Sequence, residues 1–104
     1  MRRETAKYLV QTSDVINLPE NDGFVDVYVH MKGGKSYIAT FYTLAGIANQ
    51  MELAKTTGEF CSGLYFVDHS MVIVERLEDA CIMNAIEDIV STGRLSKVFD
   101  ESVK

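Results

Sequence analysis

Residues Phe24 to Gly58 and Glu59 to Gly93 align with each other without a gap at an offset of 35 residues. Seven pairs are then identical: Ile38/Ile73, Ala45/Ala80, Ile47/Ile82, Asn49/Asn84, Glu52/Glu87, Thr57/Thr92 and Gly58/Gly93. Gly33-Gly34 falls on Asp68-His69, so the two expected turns superpose as well. Each copy reads as a β-hairpin followed by a helix. The pattern predicts an α+β fold built as ββα-ββα, a two-layer sandwich. Its four-stranded antiparallel sheet would carry both helices on one face. A chain of 104 residues suits one domain, with units 24–58 and 59–93 and residues 1–22 packing on it.

The first unit is the more legible. From Phe24 to Lys32, Val25, Val27, Val29 and Met31 alternate with Asp26, Tyr28, His30 and Lys32. That is the period of a strand with one buried face. Gly33-Gly34 is a two-residue hairpin signal, and Lys35 to Tyr42 is the return strand. A two-residue turn sets Val29 opposite Ile38, Val27 opposite Thr40 and Val25 opposite Tyr42. On the other face His30 meets Tyr37, Tyr28 meets Ala39 and Asp26 meets Phe41. Thr43 is placed to cap a helix that Gly58 ends, with Leu44, Ile47 and Met51 facing the valines.

In the second unit Ser62 to Val67 and Ser70 to Glu75 read as strands, turning at Asp68-His69. Glu78 and Asp79 open a helix whose buried stripe is Ile82, Ala85, Ile86, Ile89 and Val90, and Gly93 ends it. Leu95, Val98 and Phe99 should fold back, and Asp100 to Lys104 should fray. In the first segment Tyr8-Leu9-Val10 suits a short strand or a helix turn, and Pro19 to Gly23 a loop.

By this register the side of the sheet away from the helices carries Tyr28, His30, Tyr37, Phe41, Tyr65, Val67, Val72 and Val74, with Asp26 and Cys61 near one end. An antiparallel sheet facing water normally shows polar residues there, so the face is expected to be covered. Three covers are open: the first segment through Leu9, Val10, Ile16 and Leu18, a second copy, or a small ligand or other protein.

Composition narrows the function by exclusion. A net charge of -5 argues against a protein that tracks nucleic-acid phosphates. Met1-Arg2-Arg3 is followed by Glu4, Thr5 and Lys7 rather than an apolar run, and no stretch reaches transmembrane length. A cytosolic protein is expected, with no membrane partner. Cys61 and Cys81 are far apart in sequence, and two Cys and two His fall short of a structural zinc set, so two reduced thiols are expected.

No cluster commits the chain to a reaction. Asp26 lies four residues, about 13 Å, along the strand from His30, too far to orient the ring. Asp68-His69-Ser70 are neighbours in a turn and point apart. Cys81 sits beside Glu78 and Asp79, which oppose a thiolate. Glu52, Glu87 and Asp88 read as solvated helix faces rather than a divalent-ion site.

The run Tyr42-Thr43-Leu44-Ala45-Gly46-Ile47 resembles the start of the signature helix of LAGLIDADG homing endonucleases, whose fold also uses duplicated ββα units. That family's helix ends in a metal-holding acid next to glycine. Here the matching positions are Ala48, Asn49, Gln50 and Met51, so no functional residue carries over. The expected role is a small non-enzymatic interaction or accessory protein, homodimeric, with no cofactor and no metal. Its interaction face would be Tyr28, His30, Tyr37, Phe41, Tyr65, Val72 and Val74. The alternatives are a small-molecule-binding or regulatory domain with a pocket between His30, Tyr37 and Tyr65, and an acidic partner of a basic protein, such as an antitoxin, immunity protein or nucleic-acid mimic.

Overall fold

Alternation of apolar and polar residues lays down the centre of the fold. In the computed structural model, which describes residues 1–12 and 23–102, β3 (Phe24–Met31) buries Val25, Val27 and Val29 and turns Asp26, Tyr28 and His30 the other way. It pairs antiparallel with β4 (Ser36–Tyr42) on one side and with β2 (Tyr8–Thr12) on the other. β1 (Arg2–Glu4) continues the sheet beyond β2. β5 (Met71–Ile73) runs parallel to β4 along Thr40 to Tyr42, and β6 (Asp100–Glu101) runs antiparallel along Tyr37 and Ile38. The result is an α+β chain with a six-stranded sheet, antiparallel except at β4–β5.

The hairpin register differs from the expected one by a single residue. Val25 pairs with Phe41, Val27 with Ala39 and Val29 with Tyr37. The loop holds three residues, not two. The Gly34 amide donates to the Met31 carbonyl, the Met31 amide to the Lys35 carbonyl, and Gly34 takes φ 107°. This is a type I turn closed by a left-handed residue, which only glycine adopts without strain. Because side chains alternate with period two, the shift moves all of β4 to the opposite face. Phe41 and Ala39 join the valines, while Ile38, Thr40 and Tyr42 leave them.

Helix α1 (Leu44–Thr57) starts and stops as its sequence dictates. The Gly46 amide donates to the Thr43 hydroxyl at 3.0 Å, and Gly58 at φ 84° returns its amide to the Ala54 carbonyl. It does not cover the valines, however. That place is taken by α3 (Asp79–Ser91), through Ile82, Ile86 and Ile89, and by the short α4 (Leu95–Val98) with Leu95 and the following Phe99. Each isoleucine buried there contributes roughly 1.5–3 kcal/mol, and three on one stripe outweigh what α1 can offer. On α1 only Gly46 and Ala54 are buried, and Leu44 is 73% exposed.

The second hairpin does not form. Glu59–Gly63 is a single turn, α2, in which Phe60, Cys61 and Ser62 have φ of 52°, 55° and 59°. A left-handed turn costs such residues about 1–2 kcal/mol each. Gly63 seats the turn against α1, since a Cβ on it would stand 2.5 Å from the Met51 carbonyl oxygen. Phe66 then returns to the sheet edge-on to Tyr42, ring centroids 5.3 Å apart. The chain turns at His69-Ser70 rather than in the expected hairpin at Asp68-His69, and the strand that follows is parallel to β4. Only one ββα unit is therefore present, residues 24–58.

Residues 2–12 of the first segment extend the sheet as β1 and β2. Val10 is fully buried among the valines. Ile16, Leu18 and the expected loop at Pro19 lie outside the described residues. At the other end Leu95 and Phe99 fold back as expected. Asp100 and Glu101 are not frayed, for β4 pairs with them and the Ser102 amide donates to the Ser36 carbonyl at 2.7 Å. The radius of gyration, 14.4 Å, exceeds the roughly 13 Å of a compact chain of this length. Extents of 44 × 28 × 24 Å accord with α1 and its return loop standing away from the main core.

Candidate functional site

The seven residues expected on one face do not meet there. Tyr28 and His30 stay on the open side of the sheet, their rings stacked at 6.2 Å. Phe41 and Val74 are core residues, 0% and 7% exposed, and Tyr37 and Val72 pack against that core. Tyr65 lies in the return loop with its ring edge-on to Phe60 at 5.7 Å. The longer hairpin loop accounts for Tyr37 and Phe41, and the left-handed turn for Tyr65. Among the described residues His30, Tyr37 and Tyr65 therefore lie on different surfaces and do not frame the expected pocket.

What the open side does hold is a polar row across three strands. His30 Nδ1 lies 2.8 Å from the Ser36 hydroxyl, and its Nε2 lies 2.8 Å from Gln11 Oε1. Two rows along the same face, beyond Tyr28 and Ile38, Thr40 donates its hydroxyl to Asp26 at 2.9 Å. The Asp26 carboxylate is thus engaged by a hydroxyl, and the His30 ring is pinned at both nitrogens. Ser36 is 5% exposed, so this hydroxyl is not presented to a substrate. Ser36, His30 and Gln11 thus stand at the contact distances of a nucleophile, a base and an orienting group, with the hydroxyl buried.

The other candidates disperse. Asp68 accepts the Tyr42 hydroxyl at 2.5 Å, while His69 pairs with Asp100 and Ser70 bends the chain at φ 50°. Glu52 is bonded to Lys55 at 2.6 Å. Cys61 is exposed and Cys81 half-buried, both as free thiols. Among the described residues no three His, Cys, Asp or Glu side chains group closely enough to hold a metal ion.

Tyr42 does carry a titration signature. Burial first, and then its hydrogen bond and proximity to Asp68, push its hydroxyl well above the ordinary tyrosine range. In the unfolded chain that hydroxyl ionises near pH 10. Above that pH the folded state keeps a proton the unfolded state releases, so stability falls as pH rises. Melting temperature should therefore drop between about pH 9 and pH 11 more steeply for the wild type than for Tyr42→Phe. Equal slopes would contradict this role for Tyr42.

The feature that sequence reasoning missed is an apolar end. Phe24, Leu44, Leu53, Leu64, Tyr65, Val67 and Ile73 are the large hydrophobics that remain exposed, from 47% to 75%. They come from α1, the return loop, β5 and the first residue of β3. Ring contacts tie the patch together: Phe24 and Phe66 flank Tyr42, each at 5.3 Å, and Phe60 touches Phe66 at 5.2 Å. Leu44 and Ile73 line one cleft of about 360 Å³. The opposite end, at Arg2, Arg3, Glu4, Lys32 and Lys35, is charged and exposed. The signal is Leu64, Tyr65 and Val67, which the sequence pattern places on a strand of the sheet, with Tyr65 and Val67 on the face away from the helices.

Comparisons with protein-family models, with curated proteins and with solved structures return no match to this chain. No helix among the described residues is long and apolar enough to cross a membrane.

Proposed function

We propose that this chain is a protein-interaction module without catalytic activity. Its binding surface is the apolar end formed by α1, the return loop and β5. The observation that carries the reading is that the large, strongly exposed hydrophobics among the described residues come from α1, the return loop, β5 and the first residue of β3. Soluble proteins rarely leave contiguous apolar patches open unless something docks there. The two free thiols, one of them exposed, suit a reducing compartment, in keeping with a cytosolic location.

The surface replaces the sheet face read from sequence, while the class of function stays the same. A photo-reactive benzoylphenylalanine at Leu64 should cross-link to protein in the native host. The same group at Lys35, on the hairpin at the far end, should not. Absence of product at position 64, or equal labelling at both positions, would overturn the reading.

A further inference from the structure

The apolar end includes β5, whose outer edge pairs with no other strand among the described residues. In the β4–β5 ladder the Thr40 amide donates to the Ser70 carbonyl and the Val74 amide to the Tyr42 carbonyl. Backbone groups alternate in direction along a strand, so Ser70, Val72 and Val74 turn theirs toward β4. Met71 and Ile73 turn theirs away, toward solvent. The other outer strands are guarded by charge: β1 is Arg2-Arg3-Glu4 and β6 is Asp100-Glu101. β5 is Met71-Val72-Ile73, with no charge, and Ile73 is half exposed. Unguarded apolar edges are templates for pairing with another strand.

We propose that a second copy of this chain occupies the surface, by antiparallel pairing of β5 with β5 about a twofold axis at Val72. This rests on the interaction reading above and names its partner. The geometry is self-consistent. Val72, whose backbone groups point inward, faces the partner's Val72 as a non-hydrogen-bonded pair. Met71 then faces the partner's Ile73 and exchanges both of its outward backbone groups with it, and the symmetry repeats this on the other side. Four backbone hydrogen bonds form without disturbing the existing ladder.

Charge selects the same arrangement. β5 is preceded by Asp68-His69 and followed by Glu75-Arg76, all exposed. Antiparallel pairing brings His69 and Asp68 to the same end of the ladder as the partner's Glu75 and Arg76, just beyond the paired residues. The order of acidic and basic residues around β5 thus reverses about Val72, so unlike residue types meet at each end. A parallel arrangement would set like against like. Ile73 also brings the cleft it shares with Leu44 to the axis, so that packing on the open side continues into the patch.

Sedimentation equilibrium of the purified chain should give twice the 11.6 kDa monomer mass. Ile73→Pro removes an outward amide but no internal ladder bond, and should yield a monomer. A second route does not depend on that variant folding. In a Cys61→Ser/Cys81→Ser background, Val72→Cys should oxidise to a covalent dimer at the axis. Met71→Cys should form on the order of tenfold less, because its symmetry mate lies on a diagonal beyond comfortable disulfide reach. A monomer at all concentrations overturns the proposal. So does a dimer that survives Ile73→Pro and is not captured by Val72→Cys. If the chain is monomeric yet position 64 cross-links another host protein, the second copy is eliminated and the interaction reading stands. If position 64 captures nothing, the interaction reading fails too.

Discussion

Phe41→Ala should lower stability by about 3–5 kcal/mol, the range for deleting a fully buried aromatic ring. Phe41 is 0% exposed and meets Phe99 edge-on, with centroids 5.9 Å apart. Domains of this size are stable by roughly 5–15 kcal/mol in all, so the variant should melt on the order of 15–30 °C lower. Ile38→Ala, half-buried on the other side of the same strand, should cost clearly less. The pair reads the register directly. With a two-residue turn the order would reverse, because Ile38 would face the valines and Phe41 the open side. Thermal melts in which Ile38→Ala is the more damaging would show that β4 has been placed one residue out.

The second large effect runs against helix propensity. Gly46 is interior to α1, where alanine normally stabilises by about 1 kcal/mol. Here a Cβ would stand 2.3 Å from the carbonyl oxygen of Gly23 and 3.3 Å from its carbonyl carbon. Both are backbone atoms at the start of β3 and cannot swing aside. Gly46→Ala should therefore destabilise by roughly 1–3 kcal/mol, as overpacking does, and loosen α1 from the sheet. Gly33→Ala is the control. Nothing lies within 4 Å of a Cβ there and its φ is not positive, so its effect should stay within about 0.5 kcal/mol. A Gly46→Ala protein that melts higher than wild type would mean that α1 does not approach Gly23.

What the sequence made legible was what neighbouring residues decide among themselves. The valine alternation of β3, the Thr43 and Gly58 ends of α1, and the Ile82/Ile86/Ile89 stripe of α3 are all local patterns, and all are present. The register was not legible, because Gly33-Gly34 serves equally as a two-residue turn or as the last two positions of a three-residue one. Only the Met31–Lys35 pairing, a property of the closed hairpin, separates them. The apparent repeat has a similar cause. Six of its seven identities fall within α1 and α3 or at their C-terminal ends, and only Ile38/Ile73 falls on strands. What repeats is helix periodicity and helix ending, which two unrelated helices share. Phe60-Cys61-Ser62 carried no warning, since no side chain there favours a left-handed turn. It is held from outside by Gly63 against α1 and by the rings of Phe60 and Phe66. Once that turn replaces a strand, Leu64, Tyr65 and Val67 leave the sheet for an exposed return loop.

The most direct measurement is hydrogen exchange of the β5 amides at low and high protein concentration. Val72 and Val74, bonded to β4 within the chain, should be protected at both. Met71 and Ile73 should exchange freely when dilute and slow markedly as the concentration rises, because their only partners belong to another copy. If Met71 and Ile73 exchange at the same rate throughout the range, β5 is not where two copies join.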